Sequence, residues 1–206
     1  MKLLKEWGNE IRKNKQLIIF SLFLCVLATV INYNAGDYVT SKGGTTVGDF
    51  FIDNFAPVDL TWLFVYGWLV VVAVLVFYPL LFDVGSAHIA LSQFSLLLIV
   101  RSFFITLTHL GTPAGVVAVG FPGATNLLQF TNDLFFSGHT AVSFLGFLVF
   151  KGKKIRWFFL IASIVMGATV LLMHQHYTID VLAAFFITYG TYKIGNYLFG
   201  AFERKK

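Results

Sequence analysis

Residues 59–82 read DLTWLFVYGWLVVVAVLVFYPLLF, and no charged residue lies between Asp59 and Asp83. An α-helix needs about 20 predominantly apolar residues to cross a hydrocarbon core, and this run supplies them. Working outward in both directions, similar apolar runs recur along the whole chain and leave no separate soluble domain. Of the 206 residues, 57% are apolar and 12% charged, whereas an ordinary soluble domain carries about 25% charged residues. The mean hydropathy is +0.78. These features describe an integral membrane protein of the all-α class.

Six spans are expected: about 16–32, 59–82, 85–110, 132–150, 155–173 and 178–199. Together they form one six-helix transmembrane domain over 1–206. The first run has no small-residue cleavage site after it and reads as a retained anchor. The net charge of +5 is concentrated in three places. Lys2, Lys5, Arg12, Lys13 and Lys15 precede the first span. Lys151, Lys153, Lys154 and Arg156 form one linker, and Arg204, Lys205 and Lys206 end the sequence. Basic residues beside apolar runs mark the cytoplasmic side, and with six spans all three clusters fall on one side, with both termini. This distribution argues against a nucleic-acid partner. Asp37, Asp49, Asp53, Asp59 and Asp133 lie in or beside the opposite loops, 33–58 and 111–131. The single cysteine, Cys25, excludes a disulfide within the chain.

The loop 111–131, GTPAGVVAVGFPGATNLLQFT, is rich in Gly and Pro yet almost uncharged, unlike a solvated linker. It reads either as a segment lying on the outer interface near a lipid substrate or as a packed cap.

Polar groups within membrane helices are costly and are functional candidates. The first group is Asp133-Leu134-Phe135-Phe136-Ser137-Gly138-His139-Thr140. From Phe136 to Phe150 a helix would rise only ~22 Å, short of a ~30 Å core, so either the helix starts earlier or the site is recessed. Ser137-Gly138 resembles a helix start, whose free N–H groups hold anions such as phosphate. The second group is His174-Gln175-His176-Tyr177-Thr178-Ile179-Asp180. His176 and Asp180 share a face if helical; if Thr178 caps the helix, they must meet through the loop. A carboxylate on one imidazole nitrogen fixes the tautomer and frees the other as nucleophile or base. The third is Arg101, either a snorkelling side chain or a bidentate phosphate clamp. Each has a structural alternative: a capped helix with an interfacial histidine for the first, an interfacial pair for the second. His139, His174, His176 and Asp180 also invite a zinc reading, but His-x-His with a distant third ligand is not a specific zinc spacing.

Phe136-Ser137-Gly138-His139-Thr140 and His176-Tyr177-Thr178-Ile179-Asp180-Val181 closely resemble the two signature motifs of sphingomyelin synthases, within the type-2 phosphatidic acid phosphatase superfamily. Asp133 fits the same pattern, as does the aromatic-rich stretch after the second motif. Arg101 with the segment to Pro113 is a looser match, and the resemblance covers roughly 95–200. The phosphatase branch carries Arg-Pro and a further Arg where this chain has Thr108-His109 and Val170. Fewer guanidinium groups suit a phosphodiester better than a dianionic monoester.

The resemblance implies a phospholipid substrate, a lipid alcohol or water as acceptor, no metal and no cofactor; the span count and the basic clusters put the active site toward the non-cytoplasmic face. It makes His176, oriented by Asp180, the nucleophile that forms a phosphohistidine, and His139 the acid and then base. Arg101, Ser137 and Gly138 would hold the phosphoryl oxygens. Asp133, Thr140, His174 and Tyr177 would support them. A lipid-phosphate or isoprenoid-phosphate phosphatase is the alternative enzyme. A lipid transporter or inactive scaffold is the alternative of another class, disfavoured because the polar groups gather at one face and no repeat is visible.

Overall fold

A computed structural model describes residues 2–120 and 130–203. The part of the Gly/Pro loop between 121 and 129 lies outside the described residues, as do Arg204, Lys205 and Lys206. The elements are α1 (Lys2–Lys13), α2 (Lys15–Lys42), a π-helical turn (Leu63–Gly67) continued by α3 (Trp68–Phe82), α4 (Val84–Leu107), α5 (Gly138–Val149), α6 (Arg156–Leu172) and α7 (Thr178–Glu203). Among the described residues, three helices are long and apolar enough to cross a membrane: Lys15–Lys42, Leu63–Phe82 and Val84–Leu107. The apolar helices α5 and α6 are shorter. Large side chains such as Phe23, Val26, Phe77, Ile164 and Phe186 are exposed. In water so many would be a liability; in lipid they face a matching solvent.

α4 packs along α2, and α5 packs along α6 and α7. The main core joins Val71, Leu75, Leu97, Leu145, Phe150 and Phe159. Gly146 lets the Phe159 ring sit directly against α5; a methyl group there would overlap the ring.

Two expected boundaries change. The loop expected from residue 33 is helical as far as Lys42. Asn34 and Asp37 interrupt the apolar pattern, but Ala35 and Val39, four residues apart, pack on Ile105 and keep the helix winding. The fourth helix starts at Gly138, later than expected at 132, so of the two alternatives for this short span the helix does not begin early. Asn132 and Phe135 have φ of 60° and 120°, which bulky residues rarely adopt, and an α-helix cannot form through them. The basic N-terminal segment, read only for its charge, is itself the helix α1.

The ends of the bundle are sorted by their connections. At one end Lys153 of the basic linker pairs with Asp83, the single residue between α3 and α4, and the Trp7 indole donates to the Leu80 carbonyl at 2.8 Å. At the other end the segment after α2 meets the segment after α4. The Thr45 N–H donates to the His109 carbonyl at 3.2 Å, and the Gly111 N–H donates to the Thr45 carbonyl at 2.9 Å. A Cβ at Gly111 would lie 2.6 Å from the Gly44 carbonyl oxygen, so only glycine fits this crossing. The hinge between α6 and α7 lies at the same end, where the Val58 N–H donates to the Leu172 carbonyl at 2.7 Å and the Val117 N–H to that of Met173 at 3.1 Å.

Candidate active site

Ser137 caps α5. Its hydroxyl accepts the Thr140 N–H at 3.4 Å, and its carbonyl accepts that of Ala141 at 2.9 Å. The N–H groups of the first turn, at Gly138 and His139, have no acceptor within an α-helix and remain available to an anion. Ser137 itself donates its N–H to the Asp180 carbonyl at 3.2 Å.

α7 begins at Thr178, so His176 lies outside the helix and meets Asp180 from the loop. Its Nδ1 is 3.2 Å from Asp180 Oδ2. The same oxygen accepts the Tyr177 N–H at 3.2 Å, as the acidic residue of a capping box does. Asp180 is fully buried, and its Oδ1 has no hydrogen-bond partner. A carboxylate accepts only, so the proton of this contact lies on Nδ1.

His139 is held differently. Its ring stacks on Phe64, with centroids 4.0 Å apart, and is tilted against Trp68 at 4.7 Å. The ring also makes a hydrogen bond to the Phe64 backbone, and Nε2 is buried with no hydrogen-bond partner. Phe64 belongs to the π-helical turn, a feature that recurs at functional sites. His139 is close enough to His176 and Arg101 to interact with both electrostatically.

Arg101 reaches the same place from α4. Its Nη2 donates to Asp133 Oδ2 at 2.6 Å and to the Asp133 carbonyl at 3.0 Å, and its Nη1 donates to Asn32 at 3.4 Å. The ion pair is largely sheltered, with side chains 10% and 25% exposed. Nε is buried and without a hydrogen-bond partner. It lies beside α5, where a Cβ on Gly138 would come within 3.3 Å of it.

His139, His176, Arg101, Asp133 and Gly138 line one cavity of about 420 Å³. An apolar cavity of about 460 Å³ adjoins it, and Val72 and Phe94 contribute to the walls of both. The second cavity runs between α1, α2, α3 and α4 past Ala87 and Leu91.

The other candidates sit around this chamber. Thr140 is buried behind the α5 cap, with its hydroxyl unpartnered. The Tyr177 phenol donates to the Gly111 carbonyl at 2.8 Å and accepts the Val47 N–H at 3.2 Å. His174 adopts φ 55° and turns its Nδ1 to the Ala114 carbonyl at 2.8 Å. Among the described residues no three His, Cys, Asp or Glu side chains group so as to hold a metal ion. Sequence reasoning did not single out Asn32, Phe64, Trp68 or Asp49, whose carboxylate binds Thr178. Each acts across a long sequence separation and carries no local signal.

Residues 131–197 match the family model described as PAP2 superfamily C-terminal. Over 62 residues the chain is 39% identical to phosphatidylcholine:ceramide cholinephosphotransferase 2 of Rattus norvegicus, and equally to that of Mus musculus. This stretch covers 27% of the chain and 17% of each relative. No solved structure gives a significant match. Residues 131–197, which include His139, His176 and Asp180, are thus similar to the C-terminal region of the PAP2 superfamily, in a helical chain with helices long and apolar enough to cross a membrane.

Proposed function

We propose that this protein is an integral-membrane phosphotransferase that cleaves a phospholipid on the lipid side of its phosphorus and passes the phospho-headgroup to a lipid alcohol or water. The observation that carries this reading is the convergence of His139, His176 and Arg101 on one cavity, with Asp180 behind His176. In the first step His176 Nε2 attacks phosphorus while the bond to the lipid alkoxide breaks. His139 gives the departing alkoxide a proton, and the headgroup stays on His176 as a phosphohistidine. In the second step His139 takes the proton of the acceptor hydroxyl, whose oxygen displaces His176 from phosphorus. The Nε–H of Arg101 and the first N–H groups of α5 stabilise charge on the phosphoryl oxygens. Asp180 stabilises the positive charge that develops on His176.

The names of the relatives point to phosphatidylcholine as donor and ceramide as acceptor, and we take these as the first pair to test. The adjoining apolar cavity accommodates an acyl chain of the donor. Six crossings, by α2 through α7, put both termini and the Asp83–Lys153 connection in the cytoplasm and the reaction chamber toward the opposite leaflet. The basic clusters flanking the spans support this orientation.

The test is to incubate purified protein with labelled phospholipids, with and without ceramide, and to identify products by mass. Transfer of an intact phospho-headgroup to ceramide or water is expected. Release of inorganic phosphate from lipid monoesters, with diesters untouched, would replace this reading with the phosphatase. Unchanged lipid movement by His176→Ala, without any product, would replace it with a transporter.

A further inference from the structure

With α7 starting at Thr178, Tyr177 occupies the cap position. The first N–H groups of a helix need an outside acceptor, usually a short Asp, Asn, Ser or Thr side chain at the cap. The Tyr177 phenol is engaged with Gly111 and Val47. The acceptor arrives from the segment after α2. Asp49 Oδ2 accepts the Thr178 N–H at 2.8 Å, and Oδ1 accepts the Thr178 hydroxyl at 2.8 Å. Oδ1 also accepts the N–H groups of Phe51 at 2.9 Å and Ile52 at 3.2 Å. Asp53 Oδ2 accepts the Asp49 N–H at 2.9 Å. The carboxylate is therefore fixed by its own turn and gripped by α7 at once.

Thr178 stands midway between His176 and Asp180. The two contacts that Asp180 Oδ2 makes in this turn, to the His176 ring and the Tyr177 N–H, are each 3.2 Å long. A slight unwinding of the first turn would lengthen both. A negative charge at this end also complements the helix dipole.

We propose that Asp49 is a positioning residue for the phosphoryl-transfer centre, a cap supplied by a distant loop that keeps Asp180 in register with the His176 ring. Asp49 acts through Thr178 and has no part in binding substrate. The inference deepens the proposed function and rests on His176 being the nucleophile.

The experiment compares full-length wild type, Asp49→Ala, Asp49→Asn, Thr178→Val and His176→Ala in nanodiscs, by steady-state kinetics, thermal unfolding and proton NMR of the imidazole N–H groups. Asp49→Ala is expected to lower kcat on the order of tenfold to a hundredfold, the range a slightly misplaced catalytic group produces, with KM unchanged. Asp49→Asn keeps one acceptor oxygen and loses less, as does Thr178→Val, which keeps the N–H. Adding Thr178→Val to Asp49→Ala costs nothing further. The His176 Nδ1–H resonance, assigned by its absence in His176→Ala, persists in wild type and exchanges away in Asp49→Ala.

Should Asp49→Ala keep wild-type kcat and the Nδ1–H signal, the positioning role is overturned. A kcat loss that merely equals the lost folded fraction overturns it too. If Asp49→Ala fails to fold, Asp49→Asn and Thr178→Val decide by the same two readouts. Turnover that survives His176→Ala brings down the proposed function and this inference with it. Turnover abolished by His176→Ala but untouched at position 49 removes the inference alone.

Discussion

The Ser137 N–H donates to the Asp180 carbonyl at 3.2 Å, tying the start of α5 to the first turn of α7. Ser137 thereby serves two helices, because its hydroxyl simultaneously caps its own. The segment that carries His139 and the residue paired with His176 are thus joined by one backbone hydrogen bond, while the Ser137 side chain caps the helix on which His139 sits. This contact joins two motifs about 40 residues apart in sequence beside the cavity that His139 and His176 both line.

The proposed division of labour between the histidines gives the first prediction. Removing a general acid costs about 10² to 10⁴ in rate when the leaving group needs a proton. His139→Ala should therefore lose that much turnover on phospholipids. A phosphodiester with a nitrophenol leaving group needs no proton, and for it the first-step burst of nitrophenolate should survive in His139→Ala and vanish in His176→Ala. Equal loss of the burst in both variants would contradict the assignment.

Arg101 gives the second. Its planar fork is divided between Asp133, Asn32 and an unpartnered Nε facing Gly138. Lysine offers a single ammonium and cannot reproduce that division. Both Arg101→Ala and Arg101→Lys should lower kcat/KM by roughly a hundredfold, as loss of a donor to a developing oxyanion does. Measured kcat/KM for Arg101→Lys near wild type would reduce the residue to a structural partner of Asp133. Breaking the pair from the other side, with Asp133→Ala, strands a sheltered guanidinium, and a lowered midpoint of thermal unfolding is expected.

What could be read from the sequence follows contact range. Ser137 as a cap and the His176–Asp180 pair are local, so residue type and spacing were enough to find them. The apolar runs located the helices because lipid rewards long uncharged stretches. Legibility failed where tertiary packing overrode local pattern. α2 continues past Asn34 because Ala35 and Val39 pack on Ile105, and α5 starts late because Asn132 and Phe135 sit at positive φ. The Arg101–Asp133 pair spans 32 residues and the Asp49–Thr178 bond spans 129. A carboxylate in a loop gives no sign of which distant helix it will cap.

The adjoining cavities give the third prediction. Ala87 lines the apolar cavity on the far side of Phe94 from the histidines. Along α4, Ala87 and Arg101 are separated by ~21 Å at 1.5 Å per residue. An indole at Ala87 would fill the far end of an acyl site and leave the chamber clear. Ala87→Trp should therefore slow turnover of long-chain phospholipids at least tenfold relative to short-chain analogues, read as the ratio of kcat/KM values. An unchanged ratio would place the acyl chains in the bilayer instead.

The Asp49 clamp has a pH signature. Partial burial would raise its carboxyl, but hydrogen bonds from the Thr178 side chain and from the backbones of Thr178, Ile52 and Phe51 outweigh it and hold the pKa below the ordinary 3.8. A folded-state pKa below the unfolded one means that the unfolded chain binds the proton first as pH falls. The stabilisation is complete above the unfolded value of 3.8 and fades as pH drops through the lower folded value. Asp49→Asn cannot titrate, so the gap in thermal midpoint between wild type and this variant isolates the effect. The gap should be constant from about pH 7 to about pH 5 and narrow below about pH 4, where protonation removes the charge-assisted part of the bonds to Thr178. A gap that stays constant down to about pH 3, in protein still folded there, would mean that shape alone and not the carboxylate charge secures the start of α7.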